Sequence, residues 1–157
     1  GLLSWQSDGF TVGNNGVVGT TDDYVAYNWK AGTTSGLTGG SITPSAYSFS
    51  TTSCFSMIRY TGTGAAATIP HGLGVVPKMI MVKQTNGTNN WIVYHAAVGA
   101  GKEWILNNES APGNNSNVWN DTVPTSTVFS VANDGATGAN TQEYIAYCFG
   151  EKKDFQK

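Results

Sequence analysis

The sequence predicts an all-β domain, an antiparallel β-sandwich of the jelly-roll or lectin-like kind that contains an internally repeated hairpin. Three observations carry that expectation. Apolar residues recur every second position in short runs, as they do where one face of a strand is buried and the other is not. The runs are separated by dipeptides that reach positive φ at little cost: Asn15-Gly16, Asn86-Gly87, Pro112-Gly113 and Asp134-Gly135. Gly, Thr, Asn and Ser together make up 66 of the 157 residues, while charged residues are only 11%. That composition favours turns and pleated surfaces over helices.

Taken in order, the predicted strands are Phe10–Val12, Tyr24–Lys30, Phe55–Thr61, Ala67–Pro70, Lys78–Lys83, Trp91–Tyr94, Glu103–Leu106, Val128–Val131 and Tyr144–Phe149. In Tyr24–Trp29, Val25, Tyr27 and Trp29 share one face while Tyr24, Ala26 and Asn28 share the other. Ser56, Ile58 and Tyr60 oppose Phe55, Met57 and Arg59 in the same way. Met79-Ile80-Met81-Val82 is apolar on both faces, which suits a central strand covered on both sides. Ala31–Thr43 is rich in Gly, Thr and Ser without a period and reads as a loop or linker. Asn107–Asp121 is the longest polar loop inside the expected core. No segment carries a convincing helical pattern.

One internal similarity stands out. Phe10-Thr11-Val12-Gly13-Asn14-Asn15-Gly16 matches Phe129-Ser130-Val131-Ala132-Asn133-Asp134-Gly135, and Gly19 matches Gly138. Tyr24-Val25-Ala26-Tyr27-Asn28-Trp29 then matches Tyr144-Ile145-Ala146-Tyr147-Cys148-Phe149. Either two hairpins of one sandwich share a solution, or the chain comes from an array of units of domain length. The second reading divides the chain into residues 1–43, a hairpin and linker belonging to the end of one unit, and residues 44–157, a complete sandwich unit. On either reading Tyr24, Tyr27, Tyr144 and Tyr147 are expected to be core aromatics.

Composition also excludes. The formal net charge is −2, so no basic surface is available for the phosphate contacts that dominate nucleic-acid affinity. No apolar run reaches the length of a transmembrane helix, so membrane insertion is not expected. The first residue is Gly rather than Met, so a mature or excised piece is expected, and the missing signal peptide says little about compartment. Cys54 and Cys148 are far apart in sequence and read as two separate buried thiols more readily than as a strand-to-strand disulfide.

Catalytic and metal chemistry find little support. His71 sits in a Pro-His-Gly-Leu-Gly turn and His95 at the end of an apolar strand, where structural roles are ordinary. No nucleophile elbow accompanies them. The ten acids lie mostly in turns or at strand ends, and the histidines and cysteines lack zinc spacing. Asp22-Asp23 with Asn14 and Asn15 could offer oxygens to Ca²⁺, but a solvated hairpin end is the plainer reading. No enzyme activity, cofactor or metal is expected. Carbohydrate binding is the best ligand expectation, because sugars are held by aromatic faces flanked by amides and carboxylates. Asn114, Asn115, Asn117, Trp119, Asn120 and Asp121 supply that combination on one loop. Asn86–Trp91 offers a second. Packing as a loop anchor is the competing role for Trp119.

The segments Phe55–Gly64, His71–Lys83, Trp91–His95, Trp119–Thr122 and Tyr144–Phe149 resemble an uncharacterised β-rich domain family that recurs, often in tandem, in tail-fibre and other appendage proteins of tailed bacteriophages, mostly marine ones. The resemblance covers most of the chain from about residue 55 to 155. It implies a virion surface location, a structural or receptor-binding role, host cell-surface polysaccharide and other appendage proteins as partners, and a homotrimer as a common fibre assembly. A secreted non-viral lectin or adhesin domain and a purely structural decoration module without ligand remain the alternatives.

Overall fold

The computed structural model describes residues 2–7, 9–13 and 23–153. It is nearly all β. The main layer is a seven-stranded antiparallel sheet with strand order β3-β4-β11-β6-β7-β8-β9. Its members are β3 (Ala46–Ser50), β4 (Phe55–Thr61), β6 (Pro77–Gln84), β7 (Ile92–His95), β8 (Lys102–Ile105), the two-residue β9 (Gly113–Asn114) and β11 (Glu143–Gly150). The second layer is small: β5 (Ala67–Pro70) paired with β10 (Val128–Val131), together with one helical turn, α1 (Ser116–Trp119). A third pair, β1 (Leu2–Trp5) with β2 (Phe10–Val12), shares no hydrogen-bond ladder with either layer among the described residues.

Alternation in the sequence decides the faces. Ile58 and Tyr60 of β4, Tyr144, Ala146 and Cys148 of β11, and Ile80 and Val82 of β6 all point inward and are buried. Register aligns them, with Ala146 opposite Ile58 on one side and Val82 on the other. Ile69, Phe129, Val131, Val118 and Trp119 meet this face from the second layer. Tyr60 stacks on Tyr144 with centroids 5.3 Å apart and meets Phe129 edge-on. Both phenols carry their polar ends to backbone of the β10–β11 turn. Tyr60 Oη donates to the Thr137 carbonyl (2.7 Å), and Tyr144 Oη donates to the Gly135 carbonyl (2.9 Å) and accepts from the Ala139 N–H (3.1 Å). Leaving those groups unpaired would cost more than the bonds themselves contribute. Gly138 closes the turn between β10 and β11 so tightly that an added Cβ would collide with the Ala132 carbonyl oxygen.

β11, the last strand in chain order, lies between β4 and β6 and pairs with both along nearly its whole length. β10 does not pair with it but crosses to β5 in the other layer. The interior is therefore closed by two consecutive strands that serve different sheets.

Two expectations are corrected here. Tyr24–Lys30 is not a strand: residues 23–30 form no ladder, and Tyr24 and Tyr27 are exposed rather than core. The alternation is present, but no neighbouring edge receives it. Ala46–Ser50, unassigned from sequence, is the edge strand β3, and Ser116–Trp119 makes a single helical turn. The turn around Asn15-Gly16 lies outside the described residues. The expected loop at 31–43 holds, with Thr33 bridging to Phe49 and Ile42 buried in the core. Cys54 and Cys148 are free thiols, both buried.

Candidate functional site

The Asn114–Asp121 loop is ordered by its own asparagines. Asn115 is the N-cap of α1: its Oδ1 accepts from the Asn117 N–H (3.1 Å), the bond that satisfies an orphan donor of a helix start. Its Nδ2 donates to Glu103 Oε2 and to Asp134 Oδ2, each at 3.1 Å, tying the loop to β8 and to the β10–β11 turn. Asn120 is the C-cap at φ 52°, and Asp121 follows at φ 45°. Asn and Asp reach this left-handed region more cheaply than other side chains. Asn114 accepts from Lys102 Nζ at 2.6 Å. Much of the amide richness that suggested sugar recognition thus meets the needs of caps and turns. The side chains of Asn114, Asn117, Asn120 and Asp121 remain on the surface.

Trp119 corrects the sequence expectation. Its ring is 1% exposed, edge-on to Tyr94 at 5.9 Å and enclosed by the core, so it offers no face to a sugar. Burial of an indole beside Val118 fixes the loop on the scaffold. Its Nε1–H has no hydrogen-bond partner among the described residues.

Aromatic rings do reach the surface elsewhere, on the outer face of the large sheet. There Phe55 and Met57 of β4, Tyr147 and Phe149 of β11, and Met79 and Met81 of β6 stand side by side. Trp91, just before β7, lies against Tyr147 with centroids 6.1 Å apart. The segment 23–30 crosses this face: Trp29 stacks on Phe55 (5.7 Å), meets Phe149 edge-on (5.2 Å) and stacks with Tyr27 (6.0 Å). Between segment and sheet runs an open groove of about 380 Å³, floored by Met57, Met81, Trp91 and Tyr147 and walled by Trp5 and Tyr27. Among the described residues no acid, base or histidine lines it. Where the chain enters β7, Asn107 accepts from the backbone N–H of Trp91 (3.0 Å) and donates to Asn90 Oδ1 (2.9 Å), while Asn28 is the amide that lines the groove itself.

Among the described residues, the titratable groups with a displaced pKa lie in the interior. Burial raises the phenols of Tyr60, Tyr94 and Tyr144. Burial pushes the Cys148 thiol up to about 12, against a smaller lowering by the Ser56 hydroxyl. Burial lowers His71, partly offset by the Thr125 carbonyl. His71 is neutral in this setting: Nε2–H donates to Thr125 O (3.1 Å) and Nδ1 accepts from the Leu73 N–H (3.2 Å). His95 Nδ1 accepts from the Ala97 N–H, and its ring meets Trp104 edge-on. Both histidines therefore have structural bonds. Among the described residues no three His, Cys, Asp or Glu side chains gather as a metal site.

A family model described as a domain of unknown function, DUF7483, matches residues 1–157. The chain belongs to the DUF7483 family. No curated protein and no solved structure matches it. In this DUF7483 domain the outer-face groove gathers aromatic rings that the sequence does not mark as one surface. The sequence offers Asn86–Trp91 as a second sugar-binding candidate and Tyr147 as a core aromatic; Tyr147 is instead half-buried on the outer face, beside Trp91. The signal that could have found them was the two-faced apolarity of β6 and β11, which calls for aromatic cover on the side away from the core.

Proposed function

We propose that this DUF7483 domain is a non-catalytic structural and receptor-binding module of a virion appendage, of the tail-fibre kind, that adheres to host surface glycan. The groove on the outer sheet face is the observation that carries the reading. It is open, bordered by indole and phenol rings, and lined among the described residues by one amide, Asn28, and no charged side chain. Pyranose rings present CH faces that pack on aromatic rings and hydroxyls that bond amides, and binding sites are ordinarily concave and mostly apolar with a few placed polar groups. Among the described residues the displaced pKa values belong to buried groups, which favours a binding over a hydrolytic reading. The assignment to a phage appendage rests on the resemblance of the segments from about residue 55 to 155. Many copies on one particle would convert weak contacts into avidity.

The test is binding of the domain to host polysaccharide, beside Trp91→Ala and Tyr147→Ala. Loss of either ring should weaken binding by about 1–3 kcal/mol, the scale of aromatic anchors at interfaces. A domain that binds no host polysaccharide would leave a purely structural module. Release of reducing ends would point to an enzyme instead.

A further inference from the structure

The N-terminal copy of the repeat has the sequence of the two closing strands but none of their surroundings. Phe129 and Val131 of β10 are buried against β5, and Tyr144 and Ala146 of β11 are fully buried between β4 and β6. Their sequence counterparts stand in the open. Phe10 and Val12 pair only with β1, and Tyr24, Val25 and Tyr27 are 51%, 77% and 75% exposed. Among its described residues, a segment patterned to be covered on both faces pairs only with β1 and touches the large sheet only along the outer groove, chiefly through Trp29.

We propose that residues 10–29 supply the β10 and β11 positions of a second unit of this fold, one that holds the β3–β9 frame and lacks its own last two strands. The occupant is argued from positions. Tyr24 stands where Tyr144 carries its hydroxyl back to the preceding β10–β11 turn, and Ala26 stands where Ala146 leaves room between Ile58 and Val82. Val25, Tyr27 and Trp29 replace Ile145, Tyr147 and Phe149 on the outer face with residues of similar character. Asn28 is the departure. It stands in place of Cys148, opposite a serine in the register, so an amide would meet a hydroxyl there. Gly19 keeps the glycine that the close approach at Gly138 requires. A one-residue slip of such a strand would exchange its faces, so agreement at both sets of positions selects one register. The second unit would gain Tyr27 in the floor of its own outer groove, where Tyr147 lies here. The inference does not depend on glycan binding.

The test is a tandem chain in which residues 44–128 are placed directly before residue 10 of the full chain, so that Phe10 takes the place of Phe129. Amide hydrogen exchange is followed by mass spectrometry in the tandem and in the 157-residue chain. In the single chain, residues 24–29 should exchange as an unpaired segment. In the tandem their exchange should slow by about 100-fold or more, as expected for strands that open only with their unit, and the leading copy of 44–128 should become protected as well. Ala26→Asp in the tandem should abolish protection of the leading unit while the trailing unit, an internal control, keeps its own. Unchanged exchange of 24–29 in the tandem, or indifference to Ala26→Asp, would overturn the proposal.

Discussion

Replacing Trp119 by Ala tests whether the Asn114–Asp121 loop is part of the core. The ring is 1% exposed and packs on Tyr94. A buried indole removes roughly 150–250 Å² from water, and burial is worth about 25 cal/mol per Å², giving about 4–6 kcal/mol before the surroundings relax. Measured truncations of buried Trp or Phe cost about 3–5 kcal/mol. For a domain of this size each kcal/mol lowers Tm by about 2–4 °C, so the variant should melt roughly 6–20 °C below the parent. Trp119→Phe sharpens the test. It keeps most of the apolar contact and removes an N–H that has no partner among the described residues, so it should lose no more than about half as much. Trp5→Ala, with a ring 70% exposed, should change stability by no more than about 0.5 kcal/mol. Thermal and urea unfolding followed by circular dichroism would measure all three. A Trp119→Ala protein melting within about 3 °C of the parent would refute the placement of the ring, and with it the argument that the loop is anchored rather than free.

Tyr144→Phe removes a hydroxyl that serves both Gly135 and Ala139, and should cost about 1–3 kcal/mol in urea unfolding with the m-value unchanged. Neither Cys54 nor Cys148 should react with iodoacetamide at pH 8 until the chain unfolds. Prompt labelling of Cys148 in the native protein would contradict its burial and its thiol pKa of about 12. Because the native pKa of His71 is depressed, its contribution to stability is complete above its ordinary value of 6.5 and is lost as pH falls through the lowered native value. The pH dependence of Tm below 6.5 should therefore be flatter in His71→Gln than in the parent. Raised phenol values act at the other end. Stability from Tyr60, Tyr94 and Tyr144 is present below pH 10.0 and declines above it, so ultraviolet titration should show late-ionising tyrosines that appear together with unfolding.

Strands with strict alternation were legible to within a residue: Phe55–Thr61, Ala67–Pro70 and Val128–Val131 coincide with β4, β5 and β10. β3 escaped because Tyr47 and Phe49 are its only large apolar residues and it borders a Gly/Thr/Ser-rich tract. Tyr24–Lys30 misled for the opposite reason. Alternation reports that a segment is fit for a sheet, not that an edge is at hand to pair with it. A single helical turn is shorter than any window in which a 3.6-residue period can be counted, so α1 was hidden, although Asn115 is a recognisable N-cap. At the site, Asn and Trp together suited both a sugar platform and a capped, anchored loop. Side-chain direction decided between them, and direction follows from the turn of α1, which the composition did not reveal. Strand order was also beyond reach, because adjacent hairpins can be read from turns but the insertion of β11 between β4 and β6 cannot.

That insertion has a consequence for how the protein is made. β6 ends at Gln84, and β11 begins at Glu143. At a synthesis rate of about 5–20 residues per second, the emerging chain exposes two facing, unpaired strand edges for roughly 3–12 s before the strand that joins them exists. The two halves of the large sheet, β3–β4 and β6–β9, cannot share a hydrogen-bond ladder in that interval, and the inward face of each waits without its central neighbour. Cooperative closure is thereby deferred to the final element, long-range pairing dominates the folding barrier, and a ribosome-bound intermediate with adhesive edges is built into the order of the strands.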